Sequence, residues 1–123
     1  MIVGLTQATS ALDILRATQE AVFQRLAQIA EQLPARRFVV SGGIQKSPAE
    51  LQLLADVLGR NLIVSSEPEA SLRGAAVFAL EKLGIAVPVP SAGRVIRPRL
   101  QLSRHYAVGR RRQMRLEKSM LKG

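Results

Sequence analysis

The most constraining feature of the chain is an alternation: short β-branched apolar runs take turns with longer stretches of helical period, three times over, within the first 84 residues. Residues 2–6, Ile2-Val3-Gly4-Leu5-Thr6, read as a buried strand. Ser10 with Asp13 three places on resembles a capping box. Leu12, Leu15, Gln19, Val22, Leu26, Ile29 and Leu33 then recur at alternating steps of three and four, predicting one long amphipathic helix that ends at Pro34. The stripe is expected to pack into a core; a coiled coil needs a longer heptad run, and a dimer seam is its other use. Residues 37–40 predict a second strand that runs into Ser41-Gly42-Gly43-Ile44-Gln45-Lys46. Ser47-Pro48-Ala49-Glu50 has the order of a helix start: Ser as cap, Pro at the first helical position, Glu three residues past the cap. That helix places Leu51, Leu54, Ala55 and Leu58 on one face and stops at Gly59. A third strand over residues 61–64 and a third helix over 70–83, closed by Gly84, complete the series. Alternation of this kind predicts an α/β sheet flanked by helices.

After Gly84 the texture changes. Residues 85–101 form a proline-punctuated connector, and 102–123 a basic segment in which residues 102 to about 120 predict a final helix, with Leu102, Tyr106, Leu116 and Met120 on a face broken by Gly109 and Gln113. The expected organisation is therefore 1–84, 85–101 and 102–123. The charge divides at the same place. Residues 1–93 carry eight basic and eight acidic side chains, whereas the last thirty carry ten basic residues against Glu117 alone, so the net charge of +9 resides in the tail.

With 123 residues, 47% of them apolar, the chain has enough material for one core and too little for the larger enzyme folds. It contains no cysteine, which excludes disulfides, a thiolate nucleophile and a cysteine zinc site and makes a cytoplasmic location the simplest expectation. The opening residues have no basic leader, and no apolar run approaches the length of a bilayer span, so neither a standard export signal nor a membrane span is expected.

Reaction chemistry is thinly represented. Asp13 and Asp56 are the only aspartates, and helix capping or solvation accounts for each. Glu20 and Glu31 fall on the polar side of the first helix, and His105, the only histidine, stands in a basic tail as a surface or core imidazole. No catalytic and no metal-binding residue is assigned. The one local candidate for a site is the strand, Gly-Gly turn and capped helix over residues 39–50, because glycines let a ligand approach the backbone and a helix N-terminus favours negative charge. It has neither the P-loop pattern nor a dinucleotide fingerprint.

Taken together, residues 40–48 (Val-Ser-Gly-Gly-Ile-Gln-Lys-Ser-Pro), 51–60 (Leu-Gln-Leu-Leu-Ala-Asp-Val-Leu-Gly-Arg), 69–76 (Glu-Ala-Ser-Leu-Arg-Gly-Ala-Ala) and Leu83-Gly84 resemble, in residues and spacing, the C-terminal domain of FGGY-family carbohydrate kinases, particularly the gluconokinase and xylulokinase branch. Val3-Gly4-Leu5-Thr6, Asp13-Ile14-Leu15-Arg16-Ala17 and Glu20-Ala21-Val22 resemble the strand and long helix before the glycine turn, and Arg104-His105-Tyr106 is loosely similar to the closing helix. The resemblance implies part of an actin-like ATPase (ribonuclease H-like) fold, in which sugar binds between two domains and ATP, with Mg, is held largely by the second. It further implies that Gly42, Gly43 and Ile44 lie against the adenosine and that Ser47 approaches the adenine. Ile44 stands where the family usually has glycine or alanine, so its branched side chain is expected to crowd the adenine pocket. The family's general base and first phosphate loop belong to the first domain and have no counterpart here. The expectation is a fragment of an ATP-dependent sugar or sugar-acid kinase, inactive alone, from a truncated, split or frameshifted gene, and partnered by the missing N-terminal kinase portion or by a second copy. The alternatives are a stand-alone nucleotide-binding remnant and, as the lesser reading, a small module whose basic residues 94–122 bind nucleic acid.

Overall fold

A computed structural model describes residues 2–89, 91 and 93–121. Its elements are helix α1 (Ala11–Gln32), strand β1 (Phe38–Val40), a 3-10 turn (Gly43–Lys46), helix α2 (Pro48–Leu58), strand β2 (Leu62–Val64), helix α3 (Ala70–Lys82), strand β3 (Val95–Ile96) and helix α4 (Leu100–Met120). The local stop and start signals operate as the sequence predicts. Ser10 caps α1: the Asp13 amide donates to Ser10 Oγ at 3.2 Å, and the Ser10 amide donates to Asp13 Oδ2 at 2.9 Å. Ser47 caps α2 with Pro48 in its first turn, and Gly59 ends it with φ of 63°.

Strands β1 and β2 pair in parallel, Phe38 opposite Leu62 and Val40 opposite Val64, with α2 as the crossover. Strand β3 joins antiparallel, Leu62 opposite Ile96 and Ile63 opposite Val95, giving the sheet order β1-β2-β3. The core gathers Phe23 and Ala27 of α1, Leu53, Leu54, Ala55 and Val57 of α2, Leu62 of β2 and Tyr106 of α4. Helix α2 lies at its centre, against α1, α4, the 3-10 turn and β3. This explains why its buried residues run round the helix instead of forming the single expected stripe.

Further expectations are corrected. Residues 2–6 form no strand and leave Ile2, Val3 and Leu5 exposed. A strand needs a neighbour for its amides and carbonyls, and among the described residues none pairs with this segment. It closes instead into a turn in which the Thr9 amide donates to the Thr6 carbonyl at 3.1 Å. The 3-4 stripe of α1 is not core: Leu12, Leu15, Val22, Leu26, Ile29 and Leu33 are all exposed, and Phe23, Gln24 and Ala27 are buried. The connector contributes β3, and the final helix begins two residues early and leaves Leu116 and Met120 about half exposed. Asp56 is neither a cap nor solvated. It is fully buried and accepts from the Arg99 amide at 2.7 Å, Arg99 Nε at 2.9 Å and Gln52 Nε2 at 3.1 Å.

Candidate functional site

The chain leaves β1 through Ser41 and turns at Gly42, whose φ of 86° and ψ of −158° fall in a region open essentially to glycine alone. This conformation lets the backbone fold straight into the 3-10 turn and then into α2. The turn is braced from below by Gln45: its amide donates to the Gly42 carbonyl at 3.0 Å, while its side-chain Nε2 donates to the carbonyls of Val40 at 3.3 Å and Ser65 at 3.1 Å. One side chain thus ties the turn to the ends of both parallel strands. Sequence reasoning did not single Gln45 out; its place in the turn was the only signal available.

Gly42 and Gly43 are exposed, and a Cβ built at either would meet nothing within 4 Å. Ile44 is half-buried with its side chain packed against the core. Ser47 is half-buried; its Oγ accepts the Glu50 amide at 3.4 Å, which leaves the hydroxyl hydrogen for another partner. The four residues named from the sequence are therefore brought together on one continuous turn at the α2 N-terminus, an edge of backbone with open space before it. The largest cavity described, about 550 Å³, lies elsewhere, between residues 2–5 and the first half of α1, where Asp13, Ile14, Ala17 and Ala21 help to line it. It coincides with the segment that finds no strand partner, and its walls are mostly apolar, so volume there marks an open face rather than chemistry.

Several other titratable groups tie the helices together. Glu20 accepts from Arg16 Nε at 2.9 Å and from the Tyr106 hydroxyl at 3.2 Å, and burial pushes the Tyr106 phenol above its ordinary value. Arg110, buried, donates to Gln24 Oε1, the Val57 carbonyl and Glu31 Oε1, joining three helices. His105 is exposed and meets Tyr106 edge-on at 5.8 Å between ring centroids. Among the described residues no three His, Asp or Glu side chains lie together in a metal-binding group, and no helix is long and apolar enough to cross a membrane.

Comparison with known proteins agrees with this architecture. Residues 1–82 match the model for the FGGY family of carbohydrate kinases, C-terminal domain. A ribulokinase from Vibrio parahaemolyticus is 38% identical over 69 residues, covering 55% of this chain and 12% of that protein, and one from Mycolicibacterium smegmatis is 34% identical over 97 residues, covering 75% and 17%. The chain thus spans less than a fifth of the length of these curated relatives. The crystal structure of ligand-bound xylulose kinase from Lactobacillus acidophilus superimposes with a TM-score of 0.80 at 20% identity, over 97% of this chain and 26% of that one. The fold is accordingly mixed α/β, part of the actin-like ATPase fold, and the chain belongs to the FGGY family of carbohydrate kinases, matching the family's C-terminal domain.

Proposed function

We propose that residues 42–47 form part of the adenosine wall of an ATP site in a carbohydrate kinase that this chain completes together with the rest of the fold. The observation that carries the reading is the Gly42 conformation, which turns an exposed, side-chain-free edge of backbone outward at the end of a parallel strand pair. A nucleoside can approach such an edge to van der Waals distance, which a Cβ would prevent. Ile44 directs its side chain into the core, so at this position too the backbone faces the ligand, and the Ser47 hydroxyl is placed to donate to an adenine nitrogen.

ATP, with Mg on its phosphates, supplies the phosphoryl group in this reading. The described residues provide neither a carboxylate cluster for the metal nor, in our reading, a base for the sugar hydroxyl, and phosphoryl transfer depends on positioning all of these. The chain therefore binds the nucleoside end and leaves transfer to the remainder of the enzyme, whose sugar or sugar acid it does not select. The open apolar surface on α1 and at residues 2–5 supports assembly with that remainder or with a second copy.

Titration of the ¹⁵N-labelled chain with Mg-ATP tests the proposal. Amide shifts at Gly42, Gly43, Ile44 and Ser47 are expected, and Gly43→Val, whose Cβ enters a space with no atom within 4 Å, should weaken binding at least about tenfold. Shifts confined to other amides, or a Gly43→Val chain that binds as tightly as the wild type, would overturn it. The pure chain should show no turnover dependent on ATP and sugar; measured turnover refutes the division of labour.

A further inference from the structure

Helix α4 has two opposed faces. At about 100° per residue, Leu102, Tyr106, Arg110, Gln113 and Glu117 share the face turned inward, where Tyr106 and Arg110 are buried and the others half-buried. On the opposite side Arg104, Arg111, Arg115 and Lys118 fall within roughly 40° of a single line along the helix. All four are exposed, and none belongs to an ion pair among the described residues. Arg111, Arg115 and Lys118 surround a shallow depression of about 260 Å³ with Met114.

The surplus charge of the tail is sorted between these faces. Arg99 and Arg110 are consumed internally by Asp56 and Glu31, and Glu117, the one acid after Gly93, is turned to Arg25 and Gln113. Arg94, Arg97 and Arg112 are exposed off this line, and along the outer face of α4 stands a row of cations with no acid on it.

We propose that this face of α4 binds the phosphate backbone of a nucleic acid, at a site distinct from the turn at residues 42–47. From Arg104 to Lys118 the row is about 21 Å long at 1.5 Å per residue, a span over which one nucleic-acid strand places roughly six phosphates. A bilayer surface fits less well, because a membrane-lying helix buries its apolar face among lipid tails and the inward face of α4 is already occupied by the protein core. The row offers charge and no exposed aromatic ring, Tyr106 being buried, so binding is electrostatic and independent of sequence.

Anisotropy of a fluorescein-labelled 20-base-pair DNA duplex with the full chain provides the test. Four phosphate contacts give a slope of about −3.6 for log K against log salt, or roughly 150-fold weakening between 50 and 200 mM NaCl. The triple variant R111E/R115E/K118E should bind at least tenfold more weakly at 50 mM. The triple variant R36E/R37E/R60E makes the same change in net charge at exposed positions off the helix and should remain within about threefold of wild type. No salt-sensitive binding by the wild type, equal losses in both variants, or co-sedimentation with phosphatidylcholine–phosphatidylserine vesicles without duplex binding would each overturn the proposal. Thermal melts establish that the variants fold; should R111E/R115E/K118E unfold, R111Q/R115Q replaces it, and retention of wild-type affinity by that variant is equally fatal.

Discussion

Helices α2 and α3 follow one another in the chain, are 11 and 13 residues long and are both rich in alanine and leucine, yet six residues of α2 are buried and none of α3. The difference lies in their surroundings. Helix α2 has the sheet, α1 and α4 around it, all within this chain. Helix α3 packs extensively against no other described element: Ala70, Arg73, Val77 and Leu80 are half-buried on one side, Arg73 donates to the Pro88 carbonyl at 2.7 Å, and Leu72 and Phe78 stand exposed. Apolar composition sets what a helix can bury; the presence of a partner decides whether it does.

The contrast predicts its largest effect at Leu51, which has no exposed surface. Leu51→Ala should cost about 2–5 kcal/mol in urea unfolding, the range for a buried leucine whose cavity cannot collapse. A loss below about 1 kcal/mol would mean that α2 is not the centre of the core. Next comes the buried carboxylate of the same helix, Asp56. Asp56→Asn removes the ion pair with Arg99 and should cost about 1.5–3 kcal/mol, the scale of hydrogen bonds to a charged group. An Asn variant as stable as wild type would show that Asp56 does not fasten the start of α4 to α2.

These two positions also show what sequence could reveal. The α2 boundaries were legible because they are written locally: Ser47, Pro48 and Glu50 at one end and Gly59 at the other act within one turn of themselves. The role of Asp56 was not, since its partner Arg99 is 43 residues away in a segment read as a proline-punctuated connector. The α1 stripe misled for the opposite reason. A 3-4 period identifies an apolar face, and here that face has no partner among the described residues, while Gln24 is buried through a bond from its Nε2 to the Tyr106 carbonyl 82 residues on. Of the candidate site, the turn and its glycines were visible in the motif. The brace from Gln45 was not, because it depends on β1 and β2 ending side by side.

Two smaller effects probe the local signals themselves. Gly59→Ala places a Cβ in ordinary contact with Ser103 at 3.8 Å, so its cost is that of a left-handed backbone, about 1–2 kcal/mol, read from the same unfolding experiment. A neutral substitution would mean that the C-cap relaxes. At the start of α1, bonds from the Ser10 side chain and amide hold the Asp13 carboxyl below its ordinary value near 3.8. A lowered carboxylate pKa adds stability above the ordinary value and loses it as pH falls through the lowered one. Amides of the first turn of α1 should therefore exchange faster relative to the helix centre as pH drops below about 4, and Asp13→Asn should abolish that dependence.

The smallest effect belongs to the other side of the comparison. Phe78 is 64% exposed, and its ring makes a cation–π contact, with Lys82 Nζ 5.5 Å from the ring centroid. Such contacts at exposed sites are worth about 0.5–1 kcal/mol, so Phe78→Ala should shift unfolding by no more than that, although Phe is a far larger side chain than Leu51 loses. The measurement is informative in both directions. A shift within that range places α3 on the surface of the chain in solution, with its apolar residues exposed as they are in the structure. A loss above about 2 kcal/mol is the scale of a buried aromatic, and it would mean that Phe78 packs in solution against a surface it does not touch in this structure. Dependence of that loss on protein concentration would then identify the partner as a second copy, and independence would place it within the chain itself.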